Sequence, residues 1–179
     1  MQTTDILMSE HRVIETVLTA LEAAADRLSA GDDVPMEFFI KAADFLRNFA
    51  DGTHHQKEEG ILFVALEEHG FPKNEDPVSV FMDEHEQGRR FIRGMVECAE
   101  RINAGDARAK PQLVQHAQEY AALLREHIQK EDNVLFPMAD NILADEESKL
   151  LKDFHRADDE RGTGEKYTRV AEELAGWGA

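Results

Sequence analysis

The chain has 179 residues, of which 37 are acidic and 20 basic, giving a formal net charge of −17 at neutral pH, and its 42% hydrophobic content is enough for the core of one domain. That charge repels phosphate backbones and anionic lipid, so neither nucleic acid nor a membrane surface is an expected partner. Cys98 is the only thiol, which excludes a disulfide scaffold; with no leader-like pattern in Met1 to Ser9 and no run of 18 apolar residues, the expected compartment is the cytoplasm.

Aromatic residues make up only 7% of the chain and β-branched alternation never persists, so the period to test is helical. Leu7, Ile14, Val17, Leu18, Leu21 and Leu28 recur at three- and four-residue steps, with Thr3 or Thr4 available as a cap and Gly31 placed to end a first helix. Asp33 and Pro35 signal a second start, since the fixed φ of proline suits a first turn. This second helix carries Phe38, Phe39, Phe45, Leu46, Phe49, Ile61, Leu62 and Leu66, stops near Gly70 and Pro72, and has a weak spot at Gly52. Asp76 and Pro77 repeat the start signal for a third helix, whose stripe is Val80, Phe81, Phe91, Ile92, Met95 and Ile102 and whose stop is Gly105. A fourth follows Pro111 with Leu113, Tyr120, Leu123, Leu124, Ile128 and Leu135. Pro137 should lie near its end, because an interior proline breaks the hydrogen-bond ladder.

From Asp145 onward Leu150, Leu151 and Phe154, then Tyr167, Val170, Leu174 and Trp177, suggest one or two further amphipathic pieces interrupted at Gly162 and Gly164. They are expected to form a lid on the bundle, with a partner-binding helix as the alternative. The expected fold class is all-α: an antiparallel up-and-down four-helix bundle over residues 1–144, with a C-terminal helical extension, 145–179, packed on the same domain.

The histidines expose an internal repeat. Glu10-His11 is followed 43 residues on by His54, with Glu58 four positions later; Glu84-His85 is followed 42 residues on by His127, with Glu131 four positions later. The flanks match too: HHQKEEGILF from His54 against HIQKEDNVLF from His127. A four-residue step turns a helix by about 400°, so each histidine and its glutamate share one face, on the stripe that continues into Leu62 or Leu135. Two buried ionised glutamates with nothing opposite would cost several kcal/mol each, so a cation is expected between them. Imidazoles and carboxylates without thiolates suit a first-row metal, and carboxylates able to bridge favour two ions over one. There is no Glu-x-x-His of the ferritin-like kind and no His-Glu-x-x-His motif.

Over about residues 5 to 140 these motifs resemble the hemerythrin-like (HHE cation-binding) domains. The resemblance implies a four-helix bundle holding two non-haem iron ions joined by two carboxylates and an oxo or hydroxo bridge. It places Glu58 and Glu131 as the bridging carboxylates, His11 and His54 on one iron, and His85 and His127 on the other. The chain departs from oxygen-carrying hemerythrins in its third helix, where a second histidine four residues from the first serves the same iron: here Phe81 and Arg89 stand four away from His85. His55 is the candidate replacement, as some hemerythrin-like regulatory domains use the residue after the second-helix histidine; the alternative is that it faces solvent or a neighbouring carboxylate. Asp132 stands five residues after the last histidine, where the oxygen carriers have an aspartate, whereas the internal repeat favours Glu131.

His69, His116 and His155 fall outside the pattern, Glu15 reads as a solvated carboxylate, and Cys98 as a small core residue. The function expected is binding of O2, or of NO or peroxide, at the metal pair for carriage or sensing. Two other classes stand beside it: a di-iron enzyme acting on peroxide or NO or handling iron, and a metal-dependent interaction module signalling through residues 145–179. No protein partner can be named.

Overall fold

The computed structural model describes residues 2–161 and 164–177. Its first rod, α1 (Thr3–Ala30), buries Leu7, His11, Ile14, Leu18, Leu21, Ala25 and Leu28 along one stripe, the three- and four-residue spacing of an amphipathic helix. Gly31, at φ +96°, ends it in the left-handed conformation that glycine adopts without penalty, and Gly31 and Asp32 donate to the carbonyls of Leu28 and Arg27. Thr3 and Thr4 are not the cap: both are buried within the helix, their hydroxyls donating to Glu147 at 2.7 Å and Asp140 at 2.8 Å. Those distant partners outcompete the local role, and Gln2 stands at the cap position, its N–H bonded to Asp5 at 2.6 Å.

The second rod joins α2 (Met36–Phe45) to α3 (Phe63–Glu68) through two stretches of π-helix, Leu46–His55 and Glu58–Leu62. Pro35 precedes its first turn rather than lying within it. The weak spot at Gly52 lies inside the first π stretch, so the helix widens there instead of breaking. Next comes α4 (Val78–Asn103), ended by Gly105 at φ +97°. The fourth rod runs from α5 (Lys110–Lys130) through a π stretch, Glu131–Leu135, into α6 (Phe136–Ile142). Its helical path therefore continues past Pro137, which falls in the first turn of α6, where a missing N–H costs little.

Contacts between rods run in opposite sense. Along α1 and the fourth rod, Asp26 meets Gln118, Glu22 meets Arg125, Arg12 meets Asp132 and Thr4 meets Asp140. Between α4 and α5, Gly88 lies against Tyr120 and His85 against His127. Between the second rod and α4, Asp51 meets Arg89 and Glu59 meets His85. The result is an all-α helical bundle with no strand among the described residues. Val80, expected in the third stripe, is 39% exposed. No helix among the described residues is long and apolar enough to cross a membrane.

Each rod passes from one apolar cluster to another through a polar layer. One cluster holds Ile14, Ala50, Ile92 and Leu124, the other Leu7, Leu62, Phe81 and Leu135. Between them in sequence come His11 on α1, His54 to Glu58 on the second rod, His85 on α4 and His127 to Glu131 on the fourth. Beyond the four rods, α7 (Glu147–Arg161) adds Leu150 and Phe154 to the second cluster, and α8 (Gly164–Ala175) adds Ala171 and Leu174 to the first. The interruption expected at Gly162 lies outside the described residues, while Gly164 begins α8.

Candidate metal centre

All seven residues singled out from the sequence, His11, His54, His55, Glu58, His85, His127 and Glu131, are buried in the polar layer. They form two groups that share Glu58: His11, His54, Glu58 and Glu131, and His55, Glu58, His85 and His127. Within each group one potential ligand atom per residue lies within 4.8 Å of every other.

The two carboxylates reach across both groups. Glu58 sets Oε1 3.2 Å from His54 Nε2 and Oε2 3.4 Å from His85 Nε2. Glu131 sets Oε2 3.2 Å from His11 Nε2 and Oε1 3.2 Å from His127 Nε2. These are ion-pair approaches without hydrogen-bond alignment: all four carboxylate oxygens, and the Nε2 atoms of His11, His54 and His55, are buried with no hydrogen-bond partner. His85 Nε2 faces His127 Nε2 at 3.1 Å. So many unpaired polar atoms aimed at one small volume would be costly in a finished core, and cations placed among them would satisfy both donor sets at once. The nitrogen and oxygen donors fit a first-row metal.

Behind the histidines stands a ring of acids that the sequence reading did not assign. His11 Nδ1 bonds Asp132 at 2.7 Å, His54 Nδ1 bonds Glu10 at 3.0 Å, His85 Nδ1 bonds Glu59 at 2.7 Å and His127 Nδ1 bonds Glu84 at 2.8 Å. His55 Nδ1 lies 3.4 Å from Asp51. A carboxylate can only accept, so Nδ1 carries the proton and Nε2 is turned inward as the lone-pair donor. The acids come as neighbours of the inner residues, Glu10 before His11, Glu84 before His85, Glu59 after Glu58 and Asp132 after Glu131. Each doublet thus places one residue in the centre and gives its neighbour to a histidine on another rod. The repeated Glu-His and Glu-acid doublets were the signal that could have revealed them.

Asp132 is therefore an outer acceptor, paired with His11 and Arg12, and Glu131 is the carboxylate that faces the centre. His55 faces inward, its ring stacked on His85 at 3.8 Å between centroids and 12° between planes. Arg89, which stands where a fourth-residue histidine is missing, donates to Asp51 at 2.8 Å and Glu59 at 2.6 Å, bracing the acids behind His55 and His85. Phe81, the other residue four away, packs edge-on against His127, and Phe136 stacks on His11.

Electrostatics without metal follow the same pairing. Burial lowers the His54 imidazole, but Glu58 and Glu10 push it up to about 10; burial likewise lowers His127, which Glu131 and Glu84 push up to about 9. Burial and the Glu58 charge raise the Glu131 carboxyl, yet His127 and His11 hold it down to about 2, and Glu58 lies well below the carboxylate range because His54 and His85 outweigh its burial. His55 is pressed down to about 3 by burial and by neighbouring His85, so it stays a neutral imidazole. Glu10 is held below its usual value despite burial by its bonds to His54 and Lys57.

The remaining candidates lie elsewhere. His69 bonds the Ala65 carbonyl, His116 packs on Gly94, His155 is exposed, and Glu15 pairs with Arg12 at the surface. Cys98 is a buried free thiol raised by that burial, which makes it a core residue rather than a nucleophile.

The family described as the Hemerythrin HHE cation binding domain matches residues 2–139. Uncharacterized proteins of Mycobacterium bovis and of two strains of Mycobacterium tuberculosis are each 28% identical over 170 residues, covering 94% of this chain and 66% of their own length. The chain thus spans just under two thirds of these curated relatives. No solved structure gives a significant match.

Proposed function

We propose, for a chain that belongs to the hemerythrin HHE cation-binding domain family, the role of a non-haem di-iron protein that binds O2, or a related small molecule such as NO or peroxide, for carriage or sensing. One observation carries the reading. Two buried carboxylates each present one oxygen to each histidine group, with no hydrogen-bond partner of their own. In this reading Glu58 and Glu131 would be shared between two irons, His11 and His54 would hold one, and His55, His85 and His127 would hold the other.

A bound iron pair supplies electrons and Lewis acidity toward small oxidants. The chain's own residues supply orientation and exclusion of water. Glu10, Glu59, Glu84 and Asp132 hold the Nδ1 protons, which fixes the rings and makes each Nε2 a better donor. The group around His11 has two imidazoles where the other has three, so with both carboxylates shared the ion at His11 would have the fewer protein donors and would be the one to take a small ligand. Leu7, Leu62, Leu135 and Phe136, all buried in the apolar cluster beside the layer, exclude water from it, and Phe136 stacks on His11. The same reading takes residues 145–179 as an extension of one domain, supported by Leu150 and Phe154 in the cluster beside the centre. It places the protein in the cytoplasm, which suits a free thiol.

The test is anaerobic ferrous loading, exposure to air and removal of oxygen, followed by optical spectroscopy. Reversible binding predicts a charge-transfer band that rises in air and fades on deoxygenation. A one-way change with consumption of peroxide would assign the centre to an enzyme instead.

A further inference from the structure

The two halves of the internal repeat are unequal at one point. Lys57 and Lys130 stand three residues after His54 and His127, and each donates to the acid behind that histidine, Lys57 to Glu10 and Lys130 to Glu84. The Lys130 side chain is 41% exposed, whereas that of Lys57 is 1% exposed because α7 lies over it. Asp158 of α7 accepts a second bond from the Lys57 ammonium at 2.8 Å, and the Phe154 ring lies 5.7 Å from the same nitrogen. Burying an ammonium is unfavourable unless carboxylates surround it. Here one carboxylate comes from α1 and the other from the C-terminal extension. Glu10, held through Oε1, uses Oε2 to accept from His54 Nδ1 at 3.0 Å. The corresponding chain at Lys130 stays within the bundle: its ring neighbour is Phe81 of α4.

We propose that α7 is a positioning element of the metal centre: Asp158 holds Lys57, Lys57 holds Glu10, and Glu10 sets the ring of His54, so the C-terminal extension governs the ion at His11 and His54 and leaves the ion at His55, His85 and His127 alone. The proposal rests on the two-ion reading above. Loss of an outer hydrogen-bond partner weakens metal affinity roughly 10- to 100-fold, and the lower end is expected for residues one step further out.

The experiment titrates the full chain with cobalt(II) alone, followed by visible absorption and by the paramagnetically shifted N–H protons of the ligand histidines. Asp158→Asn and Lys57→Met should each weaken one of two cobalt equivalents by about tenfold, leave the other at its parental affinity, and speed solvent exchange of the His54 N–H but not that of His127. Lys57→Met keeps the length of the buried chain without its charge, so the test does not depend on how Asp158→Asn folds. Lys130→Met should spare the His54 signal. Parental binding of both equivalents in Asp158→Asn and Lys57→Met, or equal weakening of both, would overturn the proposal. A parent chain that takes up no stoichiometric cobalt would overturn the two-ion reading itself.

Discussion

Replacing Glu58 by alanine removes the side chain shared by both donor groups, with one oxygen 3.2 Å from His54 Nε2 and the other 3.4 Å from His85 Nε2. In the metal-free chain the carboxylate is one half of a buried ion pair, and removing one partner of such a pair costs about 3–5 kcal/mol. In a domain of this size about 1 kcal/mol moves Tm by roughly 2–4 °C, so the metal-free Glu58→Ala chain should melt roughly 6–20 °C below the parent. On the two-ion reading both ions would lose a donor, so with ferrous iron present the variant should fail to retain two equivalents and should gain less in Tm on loading. Circular dichroism melts with and without iron, paired with metal analysis after desalting, measure both effects. Glu15→Ala, which removes a surface carboxylate beside Arg12, is the control and should stay within about 0.5 kcal/mol of the parent. Two tightly held irons and a parental melting temperature in Glu58→Ala would refute the bridging role.

Three further outcomes are expected. His55→Ala removes a buried Nε2 that has no hydrogen-bond partner, so one ion should bind roughly tenfold more weakly or worse while the other is unaffected; unchanged titration of both would return His55 to a packing role. The His54 and His127 values of about 10 and 9 lie above the ordinary histidine range, so the unfolded chain sheds these protons first. Their stabilisation of the metal-free protein is complete below about pH 6.5 and is lost as pH rises through 9 to 10, whereas the loaded protein should not show that slope. A flat metal-free melting profile across that window would contradict the pairing. Gly94→Ala would put a Cβ 2.5 Å from Nε2 at the far end of the half-buried His116 side chain, so the ring must swing aside. The gain of about 1 kcal/mol of alanine over glycine inside α4 offsets part of an overpacking cost of about 1–3 kcal/mol. A melting temperature more than roughly 8 °C below the parent would show that His116 cannot move.

The bundle was legible because its helices carry the three-and-four period and end on glycines, Gly31 and Gly105, that take positive φ. The inner donors were legible because a four-residue step forces His54 with Glu58, and His127 with Glu131, onto one face. What the period does not carry is the third dimension. Thr3 and Thr4 have good local chemistry for capping, yet Glu147 and Asp140 from distant segments take their hydroxyls. Both glutamate steps, at 58 and 131, begin a π stretch, which shifts side-chain direction by an amount no helical wheel contains. For that reason adjacent acids such as Glu58 and Glu59 could not be sorted into inner and outer roles by spacing alone, and Glu131 and Asp132 stayed open until their surroundings were visible. Pro137 does lie near the end of its rod, in the first turn of α6, which closes the rod at Ile142.

The most direct measurement is anomalous diffraction at the iron edge from crystals of the anaerobically loaded chain. The expected result is two peaks per chain, one among His11, His54, Glu58 and Glu131 and one among His55, Glu58, His85 and His127. A single peak, or iron bound only outside the polar layer, would contradict a dinuclear centre built from these residues.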